Sequence, residues 1–163
     1  MHTGHILLVE AESEEEAIDK VRSAIEHADE PTPIWSDWHE VGGRWSDLFG
    51  EHGHVLQYSK DEELAEKSIN SMIELRKNSM REAWEQVKTL DVGVAIESYN
   101  PDEHNFDMNF YYLEKIGKNL NETWTPESLV YDLDSWTPNL KFFRGRAAIA
   151  PEMQYLVVVD FHF

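Results

Sequence analysis

The sequence predicts an α+β fold: a mainly antiparallel sheet of four or five strands with helices packed on one face, in a single domain over residues 1–163. Three observations point there. His5-Ile6-Leu7-Leu8-Val9 is an unbroken apolar run of strand length near the start. Tyr155 to Phe163 is a second such run at the end, rich in β-branched and aromatic residues. Between them lie three stretches with apolar residues at helical spacing, and a strand followed at once by a helix implies a helix layer on a sheet.

The first helix is predicted over residues 13–28. Ser13 and Glu16 have capping-box spacing, Glu14 and Glu15 suit a helix N-terminus, and Ala17, Ile18, Val21, Ala24, Ile25 and Ala28 form the stripe. Pro31 and Pro33 follow and stop it. Residues 34–46 and 54–58 are expected to pair as a hairpin or meander. Ser59 and Glu62 repeat the capping spacing and open the longest pattern, to Leu90. Its stripe is Ala65, Ile69, Met72 and Ile73, then Met80, Trp84, Val87 and Leu90, divided at Arg76-Lys77-Asn78. A helix of that length reaches about 45 Å. It is expected to kink near Asn78-Ser79, or to place its Ile69, Met72 and Ile73 half on a second copy while the Met80, Trp84 and Val87 half packs on the sheet. Val92 to Ile96 is apolar but short. Met108, Tyr112, Ile116 and Leu120 predict a helix over 106–120, and residues 128–136 a strand interrupted by acids. The first and last strands are the best candidates for the centre of the sheet, since an edge this apolar invites aggregation.

Composition narrows the function classes. With 41% hydrophobic and 28% charged residues the chain reads as globular. The absence of cysteine excludes disulfides and thiolate metal sites and fits a reducing cytoplasm, here expected to be that of a bacterial host. No apolar run approaches the roughly 20 residues of a membrane span, and Met1-His2-Thr3-Gly4 has no basic leader region. The net charge is −18, and it is uneven: residues 1–30 carry nine acids against two bases, and residues 91–135 ten against two. Such a surface opposes direct nucleic-acid binding and suits a basic partner.

The densest functional signal is the segment around Trp35, Asp37, Trp38, Gly42, Gly43, Arg44 and Trp45. The glycine pair gives backbone freedom for positive φ or a bulge. Arg44 could lie over Trp38 or Trp45, where cation–π attraction contributes ~0.5–2 kcal/mol, with Asp37 orienting the guanidinium. These parts make either a structural staple, a slot for a planar anionic ligand such as a nucleotide, or a protein-binding hot spot. No phosphate-loop or dinucleotide-binding glycine pattern is present.

Trp-x-x-Trp followed by Gly-Gly-Arg-Trp, a long middle helix, and the closing Val-Val-Val-Asp-Phe-His together resemble a set of uncharacterised proteins of bacteriophages and bacterial genomes. The matching positions are Trp35, Trp38, Gly42, Gly43, Arg44, Trp45, Asp160 and His162. The resemblance implies a phage-type origin and no particular activity.

A second constellation is acidic. Asp160 and His162 share a strand face, as do Asp132 and Asp134, so if their strands pair these four residues could converge on a divalent metal. They are weak candidates, because strand ends near water or an arginine explain them equally. The remaining histidines include no helical i,i+4 pair. There is no Gly-x-Ser-x-Gly elbow, and no catalytic residue or cofactor is indicated. Lys141-Phe142-Phe143-Arg144-Gly145-Arg146 is the one basic–aromatic patch, expected to neutralise the protein's own acids.

The leading expectation is a non-enzymatic, acidic, phage-type accessory protein that binds a host or phage protein, with a homodimer through residues 59–90 also expected. The alternatives are a small-molecule or nucleotide-binding protein, enzyme or not, using residues 35–45, and a DNA mimic.

Overall fold

The computed structural model describes residues 2–26, 36–97, 108–120, 129–137 and 139–162. Five strands form one mixed sheet: β1 (His2–Glu10), β2 (Trp38–Val41), β3 (Val55–Gln57), β4 (Val130–Asp132) and β5 (Gln154–His162). The helices are α1 (Glu14–Glu26), α2 (Glu62–Val87), α3 (Val92–Glu97), α4 (Met108–Leu120) and α5 (Leu140–Ala147). The α+β class is as expected. The mainly antiparallel arrangement is not, because β4 runs parallel to β1, with Ile6 opposite Val130 and Leu8 opposite Asp132.

The first and last strands form the centre. β1 and β5 pair antiparallel over their whole length, from His2 opposite His162 to Glu10 opposite Gln154. The far edge of β5 is shared by two short strands placed end to end. β2 pairs with residues 159–162 and β3 with residues 155–157. These two do not pair with each other, so the expected hairpin is absent. Val158 joins them: its carbonyl accepts from Gly42 N–H at 2.8 Å and its own N–H donates to the His54 carbonyl at 2.9 Å. The intervening residues 42–53 leave the sheet as a compact loop with neighbouring ends.

Helices cover both faces, which corrects the single-face expectation. One core packs Ile6, Leu8, Leu56, Leu156 and Val158 against Ala65, Ile69 and Met72 of α2 and Phe143 and Ala147 of α5. The other packs Leu7, Val9, Val157, Val159 and Phe161 against Ala17 and Val21 of α1. The reason is legible in the strands. Ile6 to Val9 and Leu156 to Val159 do not alternate with polar residues, so both faces of the sheet need cover.

Local signals set the helix ends. Ser13 Oγ accepts from Glu16 N–H at 3.2 Å, while the Glu16 carboxylate reaches back to Glu12 N–H at 2.6 Å. The predicted residues 27–28 of this helix lie outside the described residues. α2 is capped by Asp61, whose carboxylate accepts from Leu64 N–H at 2.9 Å, and not by Ser59. α3 takes up the short apolar run after Asp91, which accepts from Val94 N–H at 3.1 Å. Among the described residues of the predicted strand 128–136, residues 130–132 pair in the sheet; a turn follows, with Trp136 at φ 52°.

α2 runs for 26 residues, about 39 Å, as one helix. Its buried apolar residues Ala65, Ile69, Met72, Ala83 and Val87 form a single stripe, with Ser68 buried beside them. The halves are used in the opposite sense to that expected. Ile69 and Met72 pack on the sheet, Trp84 in the second half is exposed, and α2 also packs against α4. Arg76 does not divide the stripe. It lies on it, where Nε donates to Asn119 Oδ1 and Nη2 to the Asn119 carbonyl of α4, both at 2.7 Å. Its charge is satisfied where α2 meets α4.

α5 carries the basic–aromatic patch and is tied to α2 by charge. Arg144 Nη2 meets Glu66 Oε2 at 2.6 Å, and Tyr58 donates to Glu66 Oε1 at 3.1 Å. The Arg144 hydrogen bond holds the Glu66 carboxyl below its usual range. Burial, reinforced by Glu66, pushes the Tyr58 hydroxyl up to about 12.

Replacing Ile69 by Ala is expected to cost about 2–5 kcal/mol, independent of protein concentration, in chemical denaturation. A concentration-dependent loss would instead return this residue to an intermolecular interface. Glu66 supplies a pH dependence of known sign. Its folded-state pKa is depressed, so its contribution is present above the ordinary carboxyl value of 4.5 and is lost as pH falls through the folded value. Glu66→Gln should therefore lower stability at neutral pH and flatten the acid limb below about pH 4.5, read by denaturation midpoints across pH.

Candidate functional site

The tryptophan segment folds over the end of the sheet where β1 and β5 pair through His2 and His162. Trp35 lies outside the described residues. Trp38 begins β2, opposite His162, and is 45% exposed. The chain then turns sharply at Gly42 and Gly43, with φ 79° and 51°. Residues 43–45 form a single 3₁₀ turn that lays Trp45 on the face of β1.

Two close approaches fix this arrangement. A Cβ on Gly4 would stand 2.5 Å from the Trp45 ring, so the indole lies directly on the backbone of β1. A Cβ on Gly43 would stand 2.6 Å from Asp160 Cβ, at a φ that L residues rarely adopt. Trp45 joins the first hydrophobic core from its margin, together with Leu48 and the fully buried Phe49. Its Nε1 is buried with no hydrogen-bond partner among the described residues, so its contribution is ring area.

Asp160 is the polar centre beneath the turn. It is fully buried, and it accepts the Arg44 backbone N–H at 3.2 Å. His2 Nδ1 stands 3.1 and 3.2 Å from its two oxygens. One carboxylate thus joins β1, the loop and β5. A charged group placed there needs such partners, since an unpaired buried carboxylate is costly. His162 stands beside this pair. Its ring centroid is 4.8 Å from that of His2, and its Nδ1 is 3.6 Å from Asp37 Oδ2. The His2 ring also meets the edge of Trp38 at 5.9 Å.

The predicted site residues that are described, Asp37, Trp38, Gly42, Gly43, Arg44 and Trp45, lie at one end of the sheet, but not in the predicted pairing. Asp37 faces His162 and does not orient Arg44. Among the described residues the Arg44 guanidinium has neither a carboxylate partner nor an aromatic ring beneath it, and the side chain is exposed. On the opposite face, His39 packs against Phe161, and burial lowers its pKa.

The four weak metal candidates do not converge. β4 and β5 lie on opposite sides of β1, with Asp132 opposite Leu8 and Asp160 opposite Gly4. Asp132 is instead bound by Arg146 Nη2 at 2.7 Å, and exposed Asp134 by Arg146 Nη1 at 3.3 Å. Glu10 stands 3.6 Å from Arg146 Nε, and the guanidinium carbon lies 4.6 Å from the Phe142 ring centroid. The basic patch thus neutralises its own acids. Among the described residues, no three or more His, Asp or Glu side chains are arranged to hold a metal.

His2 and Gly4 belong to the site and were not singled out from the sequence. A glycine inside an otherwise strand-like start is a usable signal of close backbone approach. Nothing in the sequence near His2 points to Asp160, 158 residues away. Searched against known protein families, curated proteins and solved structures, the chain matches none of them.

The loop makes a prediction. Gly43→Ala combines a 2.6 Å clash with positive φ, and Gly4→Ala displaces the Trp45 indole. Each is expected to lower stability by about 1–3 kcal/mol, in the range of overpacking and backbone strain. Gly50→Ala is the informative control, because only its φ of 59° opposes the substitution and its Cβ meets nothing. Thermal melts that rank Gly50→Ala as severe as the other two would remove the close approaches as the cause.

Proposed function

We propose that the protein is a non-enzymatic accessory protein, of the phage type its motifs resemble, that acts in a bacterial cytoplasm by binding another protein. The observation that carries this is where apolar surface remains. Leu75, Trp84, Val92, Val94, Phe110, Tyr111 and Leu120 are exposed, and all seven lie on α2, α3 and α4. Elsewhere the described residues leave only Trp38, Phe142 and Ile149 as exposed large hydrophobics. Large apolar side chains left exposed on helices are a mark of interaction sites; Leu75 and Trp84, nine residues apart, lie on opposite sides of α2, so more than one face is offered.

Charge then divides the labour. On α2 and α4 the ion pairs Lys77–Glu74, Lys88–Glu85 and Lys118–Glu114 are internally balanced. The apolar side chains therefore supply the contact. The acid surplus of residues 1–30 supplies long-range attraction for a basic partner, which acts on association rate more than on affinity. The chemistry-bearing side chains support the non-enzymatic part of the reading: Asp132, Asp134 and Glu66 are each held in a structural ion pair.

A second reading uses the opposite end of the molecule. The Arg44 guanidinium, without an ion-pair partner among the described residues, and the exposed Trp38 suit a planar anion, and quenching of tryptophan fluorescence by a nucleotide, lost in Arg44→Ala, would favour it.

The test of the leading reading is capture of a partner from bacterial lysate by the tagged chain, followed by Trp84→Ala. The side chain is 56% exposed, so the substitution should move stability by only about 0.5 kcal/mol. Binding should weaken by about 2 kcal/mol or more, some 30-fold. Salt should slow association. Capture unchanged by Trp84→Ala, or no capture at low salt, removes the proposal. If the retained species is the chain itself, the apolar surface is met by a second copy.

A further inference from the structure

The outer side of α5 carries a groove that the fold itself does not use. Its volume is about 490 Å³, and it is lined by Asn139, Lys141, Phe142, Gly145, Arg146 and Ile149. Phe142, Gly145, Arg146 and Ile149 recur at helical spacing, so they share one side of α5, away from the buried Phe143 and Ala147. Two of them are large apolar residues held out of the core: Phe142 is 53% exposed and Ile149 87%. Gly145 lies between them in sequence. Glycine is among the least favourable residues in a helix interior, and neither backbone nor packing asks for it here. Its φ is not positive, and an added Cβ would meet nothing within 4 Å. What it provides is room. The wall beside it is fixed, because Asp132 and Asp134 bind Arg146, whose guanidinium carbon lies 4.6 Å from the Phe142 ring centroid. Of the three cations on α5, Arg144 is taken by Glu66 and Arg146 by these two acids. Lys141 is exposed and has no carboxylate partner among the described residues. Beside it, the Asn139 side chain makes no capping bond to α5.

We propose that this groove binds a small amphiphilic monocarboxylate, its head group at Lys141 and Asn139 and its apolar body along Phe142, Gly145 and Ile149. Charge complementarity sets the head group. One unpaired ammonium, a compact point charge, beside an apolar groove matches a single negative charge. The net charge of −18 does not oppose an anion locally, since residues 136–163 hold two acids against three bases. Size sets the class of occupant. The groove falls within the roughly 300–1,000 Å³ of small-ligand sites. A stable protein partner needs about 800 Å² on each side, more than two exposed apolar side chains supply. Shape sets the body. Residues 141 to 149 extend about 12 Å at helical rise, which suits an extended chain better than a compact ring. The groove shares no residue with the apolar surface of α2, α3 and α4 or with the Trp38 and Arg44 end of the sheet.

Decanoate, kept below its micelle concentration, is the probe, titrated into the full chain and read by backbone amide shifts. The expected result is saturable movement of the Lys141, Phe142, Gly145 and Ile149 amides. Lys141→Ala should weaken decanoate about 5-fold, the upper range for an exposed charge pair, and Lys141→Arg should keep it. Decanol, the same body without the charge, should bind the wild type more weakly by a similar factor and ignore Lys141→Ala. Gly145→Leu should abolish binding while the melting temperature holds or rises, because the new side chain fills open space and favours the helix. Both positions are exposed, so both variants should fold. Shifts confined to α2, α3 and α4 would place decanoate on the apolar surface there and overturn the proposal. So would decanoate affinity unchanged in Gly145→Leu, or equal in Lys141→Ala and the wild type.

Discussion

Everything in this fold is arranged around β5. It is a nine-residue strand, buried over residues 154–161, with apolar side chains on both faces and hydrogen-bonding partners on both edges. No sheet with one open face can hold such a strand. α1 must cover one side and α2 with α5 the other. Both edges must be filled as well, because unpaired backbone groups in a buried strand are costly. β1 fills one edge over its full length. The other edge needs two strands with a loop between them, and Val158 is where they are joined.

Asp160 is where this apolar strand becomes polar, and the loop is shaped to meet it. The glycine at position 43 lets the backbone descend until the Arg44 N–H reaches the carboxylate. The glycine at position 4 lets Trp45 lie flat beside it. His2 closes the remaining side. The tryptophan-rich segment is thus a staple through Trp45 and a solvent-facing surface through Trp38, so one motif serves two purposes within a few residues.

α2 shows how one amphipathic helix serves two packing environments. Its first half contributes to the central core, and the helix also packs against α4. Arg76 joins the two helices, its guanidinium matched to the side chain and carbonyl of Asn119. A charged residue on a buried stripe reads as an interruption in one dimension. In three dimensions it is a junction, because the long stem packs while the fork finds its bonds.

The sequence by itself determined the longer helices and the centre of the sheet; the short helices α3 and α5 were not read from it. Helical periodicity located α1, α2 and α4, and the undivided apolar runs identified β1 and β5 as central, because these signals depend on neighbours a few residues apart. It also marked the Trp38 to Trp45 segment as special, through its glycines and rings. Only the tertiary structure decided which strand lies beside which. Parallel pairing of β4 with β1, the splice of β2 and β3 along β5, and helices on both faces all depend on contacts between distant residues. The same holds for charge. Asp132 and Asp160 look alike in sequence, each on an apolar strand. One is paired with Arg146 of a helix; the other is hydrogen-bonded by a histidine at the opposite end of the chain and a backbone amide. A carboxylate's role is set by what the fold brings to it, and local sequence does not encode that neighbour.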